Sequence, residues 1–201
     1  DIHDLEASNA IEINEKLQPF FWRTTKKDLN VPEAEPDQLI VVQPSGRQID
    51  LAKTIHEVKT NVLGRYIRLL QASTNPALLT EKINFQDLGF LFDEIDYTLG
   101  SALDSAEQSR AKQCMYLDAD VDSMVTPKFL AGMQLIEKLV AEGKKVIVWG
   151  IFVGTMHKIN NELKEKGILS HLIYGQTPKE DRVELINKFR NGSVQVLISN
   201  P

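Results

Sequence analysis

The sequence of 201 residues has a single cysteine, Cys114, and no long uninterrupted apolar stretch. One thiol excludes an internal disulfide and a cysteine-rich metal site, which fits a reducing compartment. No run approaches the length that a membrane span or the apolar core of a signal peptide requires. These absences favour a globular piece that can bury one good core or two small ones.

The sequence also lacks the local patterns of a catalyst that works alone. It has no GxxxxGK[ST] phosphate loop and no GxGxxG turn, so an autonomous nucleotide-binding domain is not expected. The histidines at positions 3, 56, 157 and 171 show no metal-ligand spacing. FLFDEID (90–96) imitates a Walker B segment but follows no phosphate loop, and the aspartates at 118, 120 and 122 lack the glycine and glutamate of a calcium loop. We therefore expect no catalytic residue and no metal ligand.

Charge is distributed unevenly along the chain. Residues 1–125 carry 21 acidic and 12 basic side chains, whereas residues 126–201 carry 7 acidic and 11 basic ones. A basic second half suits a polyphosphate partner, but an excess of this size is also typical of an ordinary solvated surface. Charge alone leaves both interpretations open.

Helical and strand patterns alternate from Val125 onward. Apolar runs at 145–149, 171–174 and 194–199 each follow a helical pattern of roughly 12 to 16 residues, which is typical of βαβ units in a parallel sheet. Right-handed crossovers would place these strands side by side with helices on the faces. We predict that Trp149 and Phe152 are largely buried at the carboxyl end of this sheet.

Local signals predict where these helices begin and end. Thr126 before a proline indicates an N-cap, and Thr177 with Glu180 indicates a capping box. Gly143 and Gly167 indicate left-handed C-caps. In the last helix we expect one apolar stripe, formed by Val183, Leu185, Ile186 and Phe189.

The first half is predicted to be mainly helical. Helical patterns cover residues 1–21, 45–59 and 60–73, and Ser45 with Gln48 indicates a capping box for the second of them. Residues 37–42 are a short strand candidate. The acidic stretch 84–124 is expected to contain two further helices.

Several motifs occur in a characteristic order. In the second half they are TPK at 126–128, KVIVWGIF at 145–152, YGQTPKEDRVELINKF at 174–189 and VLISNP at 196–201. Together they resemble the second RecA-like lobe of Swi/Snf-type ATPases and related superfamily 2 helicases. PFFWRTTKKDL (19–29) and RLLQASTNPALL (68–79) resemble the segments that lead from the first lobe of that family into the second. The chain departs from the family pattern at several positions, which include Thr24, Ala72, Ser73, Asn75, Gly150, Ile151 and Tyr174.

The resemblance implies an α/β fold: a truncated RecA-like three-layer domain with a short parallel sheet at 125–201. An inter-lobe helical segment at 1–82 and an acidic variable insertion at 83–124 would precede it. The family binds ATP and Mg²⁺ between two lobes, and both the phosphate loop of the first lobe and the arginine fingers of motif VI lie outside this chain. The fragment alone should therefore bind neither ATP nor Mg²⁺ and hydrolyse nothing.

The implied partners are duplex DNA, contacted without regard to base sequence, and the first RecA-like lobe; no membrane is expected. Helix N-termini and small residues at strand ends can hold phosphate through backbone amides. The candidate nucleic-acid contacts are Gly150, Thr155, Gly175, Thr177, Arg182 and Ser199. Arg182 has an alternative role, an ion pair with Glu180 or Asp181.

Three functional hypotheses remain open from the sequence. The first is part of a Swi/Snf-like ATP-dependent DNA translocase, cytoplasmic in a prokaryote, which we favour, or nuclear in a eukaryote. The second is a non-catalytic, degenerate RecA-like module that binds a protein. The third is a flavodoxin-like binder of nucleotides or sugar nucleotides.

Overall fold

The computed structural model describes residues 26–57, 62–81, 83 and 121–200, together with positions 9, 12, 13, 16 and 24. The chain divides into two compact units, Asp1–Ile40 and Val41–Pro201. In the first unit the described positions 9, 12, 13 and 16 are helical, and Lys16 pairs with Glu12 at 2.6 Å. Most of PFFWRTTKKDL and all of FLFDEID lie outside the described residues, as do the helices expected within 84–120.

The second unit contains the regular elements that position the site. In chain order they are α1 (Gly46–Glu57), α2 (Val62–Thr74), a 3₁₀ helix (Pro76–Thr80), α3 (Pro127–Ala141), β1 (Val146–Trp149), α4 (Val153–Glu165), β2 (Ser170–Ile173), α5 (Lys179–Asn191) and β3 (Val196–Ser199).

The strand predicted at 37–42 is wrong. Residues 31–45 have no regular secondary structure, and the side chains of Leu39 and Val41 are exposed. A strand needs a neighbour to satisfy its backbone and an opposing layer to cover one face, and this short stretch between two prolines has neither.

The strands form a parallel sheet in the order β1-β3-β2, which confirms the predicted parallel pairing. The last strand of the sequence lies in the middle of the sheet. Its residues Val196, Leu197 and Ile198 are all buried, because helices cover the central strand on both faces.

The main core lies between one face of this sheet and two helices. Val146, Val196 and Ile198 pack there with apolar residues of α3 and α4, among them Phe129, Met133, Ile136, Met156 and Leu163. On the other face, Ile173 and Leu197 pack against Phe189 of α5. This helix–sheet–helix arrangement is the predicted three-layer fold.

The α5 face of the sheet is covered only in part. Ile147 and Trp149 of β1 are 51% and 67% exposed, because α5 packs on β2 and β3 and leaves β1 uncovered. The predicted burial of Trp149 is therefore wrong, whereas that of Phe152 is confirmed. For the same reason the apolar stripe of α5 is divided: Leu185 and Phe189 pack inward, while Val183 and Ile186 are exposed.

The predicted ends of α3 and α4 are confirmed. Thr126 Oγ1 accepts a hydrogen bond from Phe129 N at 3.1 Å and donates one to Thr74 O at 3.1 Å, so one hydroxyl caps α3 and joins it to the end of α2. Gly143 and Gly167 have φ of 76° and 72°, the left-handed conformation that glycine adopts without strain.

The capping box of α1 is also confirmed. Ser45 N donates to Gln48 Oε1 at 3.1 Å, and Gln48 N donates to Ser45 Oγ at 3.3 Å. The amide nitrogen of the same Gln48 side chain donates to Ala72 O at 3.1 Å. A single glutamine thereby caps α1 and binds the carbonyl end of α2.

Segment 62–83 packs against the loop that follows β1. Ile67, Leu78 and Ile83 form one buried cluster with Phe152. Gly154 permits this approach, since a Cβ at its position would lie 2.5 Å from Leu78 Cδ2. Buried Arg68 holds the segment in shape by donating to Gln71 Oε1, Leu78 O and Glu81 O at 2.9 to 3.0 Å.

The lysine just before β1 binds carbonyl groups at the end of α5. Lys145 Nζ donates to the carbonyl oxygens of Phe189, Gly192 and Val194 at 2.7, 2.6 and 2.7 Å. The last carbonyls of a helix have no partner within the helix, so a cation placed there satisfies them and offsets the helix dipole.

We predict that Lys145→Met lowers the free energy of unfolding by about 1–3 kcal/mol, because charged hydrogen bonds at the end of α5 are lost. Lys138→Met is the control, since Lys138 forms only an exposed contact of 4.0 Å with Glu142 and should change stability by about 0.5 kcal/mol or less. Urea denaturation measures both. Equal effects of the two substitutions would contradict the assigned role of Lys145.

His171 lies in β2 with its Nε2 buried and without a hydrogen-bond partner. Burial, and secondly the charge of Lys188, hold the pKa of His171 below its ordinary value of 6.5, and Ser170 and Glu184 oppose this only in part. The unfolded chain therefore takes up this proton at a higher pH than the folded chain does. The stability contribution of neutral His171 is present above pH 6.5 and is lost as the pH falls below it.

We predict that stability decreases as the pH is lowered from about 7.5 to 5.5 and that His171→Gln makes this decrease smaller. Thermal unfolding followed by circular dichroism across this range measures the slope. A variant with the same slope as the wild type would show that other groups cause it.

Candidate functional site at the carboxyl edge of the sheet

The strands end level with one another at the carboxyl edge of the sheet. Trp149 of β1 and Ile173 of β2 are both in register with Ser199 of β3. The turns after β1 and β2 therefore flank the end of β3, separated by about two strand spacings of ~4.8 Å. This edge, where parallel α/β sheets bind ligands, brings together the predicted contact residues.

Gly150 joins the ends of two strands. Its backbone N donates to Ser199 O at 2.9 Å, so this amide has a partner within the fold. A Cβ at Gly150 would lie 2.6 Å from Cγ of Met156, whose side chain is fully buried and cannot readily give way. Packing therefore explains this glycine without reference to a ligand.

Thr155 lies in the first turn of α4. Its side chain is buried, and its Oγ1 has no hydrogen-bond partner. The N-cap of α4 is Phe152, which supplies no side-chain hydrogen bond, and the first turn carries no acidic residue. The partial positive charge of this helix end is thus not offset by a side chain, which leaves it suited to an anion.

Arg182 binds the turn after β2. Its Nε donates to Thr177 O at 2.8 Å, and its Nη2 donates to Tyr174 O at 3.2 Å and to Gly175 O at 3.0 Å. The sequence left open a nucleic-acid contact or an ion pair with Glu180 or Asp181 for Arg182, and the ion pair is wrong. The guanidinium satisfies carbonyl groups, because the tight turn brings several of them within its reach.

The predicted capping box at Thr177 is also wrong. The N-cap of α5 is Pro178, without a side-chain hydrogen bond, and Thr177 Oγ1 instead accepts from Tyr174 N at 3.1 Å. The hydroxyl is used to close the turn one residue before the helix. Two carboxylates, Glu180 and Asp181, lie in the first turn of α5 and would repel an anion there.

Gly175 and Ser199 remain the most open of the predicted residues. Gly175 is exposed, and no atom lies within 4 Å of the position that its Cβ would take. Ser199 is half-buried, and its hydroxyl donates to Asn200 O at 3.1 Å. Gln176, which sequence reasoning passed over, is exposed between Gly175 and Thr177. Its position between Gly175 and Thr177, both predicted contacts, was the signal in the sequence that could have identified it.

Other kinds of site find no support in the described ranges. Among those residues, no group of three histidine, cysteine or acidic side chains could hold a metal ion. The helices within the same ranges include none with the length and apolarity that crossing a membrane requires.

Comparison with known proteins identifies similar sequences and folds. Residues 128–200 match the family model of the helicase conserved C-terminal domain. The structure of the Sulfolobus solfataricus SWI2/SNF2 ATPase core domain is 20% identical with a TM-score of 0.54, and the match covers 95% of this chain and 36% of that one. No curated protein matches the chain.

Two further solved structures are similar at lower scores. They are the Sulfolobus solfataricus SWI2/SNF2 ATPase core in complex with dsDNA (21% identity, TM-score 0.48, 94% of this chain and 36% of that one) and the C-terminal part of the Fun30 ATPase domain (14%, 0.47, 79% and 65%). The chain spans about a third of the ATPase core structures that it matches. The α/β fold expected from the resemblance is confirmed, and residues 128–200 match the helicase C-terminal domain that the same resemblance indicated.

We predict that Gly150→Ala lowers the free energy of unfolding by about 1–3 kcal/mol, because the new methyl group overlaps Met156. Gly175→Ala is the matched control: it adds the same methyl group at the same edge, into open space, and should be close to neutral. Denaturant unfolding distinguishes the two. A neutral Gly150→Ala would contradict the packing role of this glycine.

Proposed function

We propose that this chain forms part of a Swi/Snf-like, ATP-dependent DNA translocase, in which it contributes strand contacts and one wall of the ATP site between two lobes. The observation that carries the proposal is the match of residues 128–200 to the helicase C-terminal domain. The described RecA-like fold, with three strand ends level at one edge, supports it.

In this proposal the carboxyl edge of the sheet lies against the sugar-phosphate backbone of duplex DNA. Gly175 and Gln176 offer exposed backbone and amide groups after β2, and Ser199 offers a hydroxyl at the end of β3. The N-terminal end of α4 adds a partial positive charge. Such contacts hold phosphate without reading bases, which suits a motor that moves along any sequence.

Thr177, Arg182 and Gly150 would act indirectly. Their hydrogen bonds and packing hold the turns that present the exposed groups. We assign them a positioning role in DNA binding, since most of their polar groups already have partners within the fold.

ATP and Mg²⁺ would be held mainly by the other lobe. This chain has no phosphate loop, and its described residues include no cluster of carboxylates that fits a metal ion, so its own residues do not form a complete nucleotide site. Hydrolysis of the bound nucleotide would supply the free energy for movement. The 201-residue chain by itself should show no ATPase activity above background, with or without DNA.

A second candidate function is that of a non-catalytic RecA-like module that binds a protein. The internal use of the polar groups of Gly150, Thr177 and Arg182 favours it, because fewer groups remain for a nucleic-acid track. The two functions differ in whether DNA stimulates an ATPase that contains this lobe.

We predict that Ser199→Ala or Gln176→Ala, in a protein that also carries the first lobe, raises the DNA concentration for half-maximal ATPase stimulation about 3- to 10-fold. Losing one hydrogen bond to a charged phosphate accounts for this size. Basal ATPase without DNA should be unchanged. Steady-state ATPase assays across a titration of duplex DNA provide the measurement.

Arg182→Ala is the comparison, since loosening the turn should weaken DNA stimulation and lower thermal stability together. Equal loss of basal and stimulated activity in Ser199→Ala and Gln176→Ala would move both residues to a structural role. An ATPase that DNA does not stimulate at all would favour the interaction module.

A further inference from the structure

A hydrophobic groove lies beside the carboxyl edge, between the end of α2, one side of α3 and the loop after β1. Its volume is about 280 Å³. The lining is mainly apolar and includes Phe129, Met133, Ile136, Val148 and Ile159. The proposed DNA contacts do not use the apolar lining of this groove.

A glycine in the middle of a helix forms part of the groove wall. Gly132 of α3 lines it, is exposed, and would meet no atom within 4 Å if it carried a Cβ. It lies three residues after Phe129 and four before Ile136, on the side of α3 that faces the groove. Glycine inside a helix costs about 1 kcal/mol relative to alanine. A long side chain at this position, such as leucine, would extend into the groove.

One polar group that lines the groove is unsatisfied: the buried hydroxyl of Thr155 has no hydrogen-bond partner. An occupant that forms a hydrogen bond with this hydroxyl would remove the cost of leaving it unpaired.

The rim of the groove is cationic. Lys128 lines the groove, and Lys158 Nζ lies 5.0 Å from the ring centroid of Phe129. Within the described residues neither lysine forms an ion pair, and the lining includes no acidic side chain. The N-terminus of α3, which Lys128 follows closely, adds partial positive charge. An occupant with carboxylates next to its apolar side chains would complement this rim.

We propose that this groove binds a short segment of a partner protein in which a few neighbouring apolar side chains are flanked by carboxylates. The apolar lining makes a bare phosphate chain a poor occupant, and the small volume suits a few side chains in place of a whole domain. An amphipathic segment that lays its apolar face in a groove is a recurrent mode of peptide recognition.

The probe is a synthetic peptide of about 12 residues with two leucines and one phenylalanine at helical spacing, flanked by glutamates. The peptide carries a fluorescent label, and we expect a saturable rise in its anisotropy as it binds. A peptide with the same apolar residues flanked by lysines should bind at least about tenfold more weakly.

Gly132→Leu tests the groove itself. This variant should retain the helical content and melting temperature of the wild type, or exceed them, and should lose binding of a fluorescently labelled acidic peptide at least about tenfold by anisotropy. Leu130→Gln is the control: Leu130 is exposed on the same helix, does not line the groove, and its substitution should leave binding unchanged.

Three results would overturn the proposal. One is a folded Gly132→Leu that binds the acidic peptide as well as the wild type. Another is concentration-dependent dimerisation in sedimentation that Gly132→Leu abolishes, which would make a second copy the occupant. The third is displacement of the bound acidic peptide by duplex DNA, which would place the groove on the nucleic-acid track.

Discussion

The parallel pairing of β3 with both of its neighbours is the interaction on which the rest of this domain depends. β3 lies between β1 and β2, so every layer of the domain contacts it directly or through those strands. Val196 and Ile198 support the packing of α3 and α4 on one face, and Leu197 supports that of α5 on the other. Because the register sets all three strands level at Ser199, it also aligns the turns of the candidate site.

Close packing and hydrogen bonds to backbone carbonyls hold the surrounding elements in place. Gly154 lets the segment after α2 approach α4, and the hydroxyl of Thr126 joins α2 to α3. Lys145 satisfies carbonyl groups where α5 ends, and Arg182 does the same where it begins. Lys145 and Arg182 each donate to three carbonyl oxygens, so removing either side chain would leave several acceptors unsatisfied.

Because these polar side chains already have partners within the fold, few polar groups at the carboxyl edge remain for a ligand. Side chains that the family resemblance suggested as contacts serve mainly to shape the turns, and exposed backbone and amide groups at Gly175 and Gln176 remain. The neighbouring groove has the opposite character, apolar with a cationic rim. Two surfaces of different chemistry therefore lie close together in one small domain, suited to different partners.

The sequence by itself determined the three strands of the sheet, the parallel α/β class and most helix ends, although it also predicted a strand at 37–42 that does not form. Period, glycine and capping residues act within a few neighbouring positions. Thr126, Ser45 with Gln48, Gly143 and Gly167 all behave as their local patterns indicate. Tertiary structure alone decided the strand order, the exposure of Trp149 and the use of Arg182. These depend on which element covers which face and on which carbonyls meet in space, and contacts between residues far apart in the chain leave no local pattern to read.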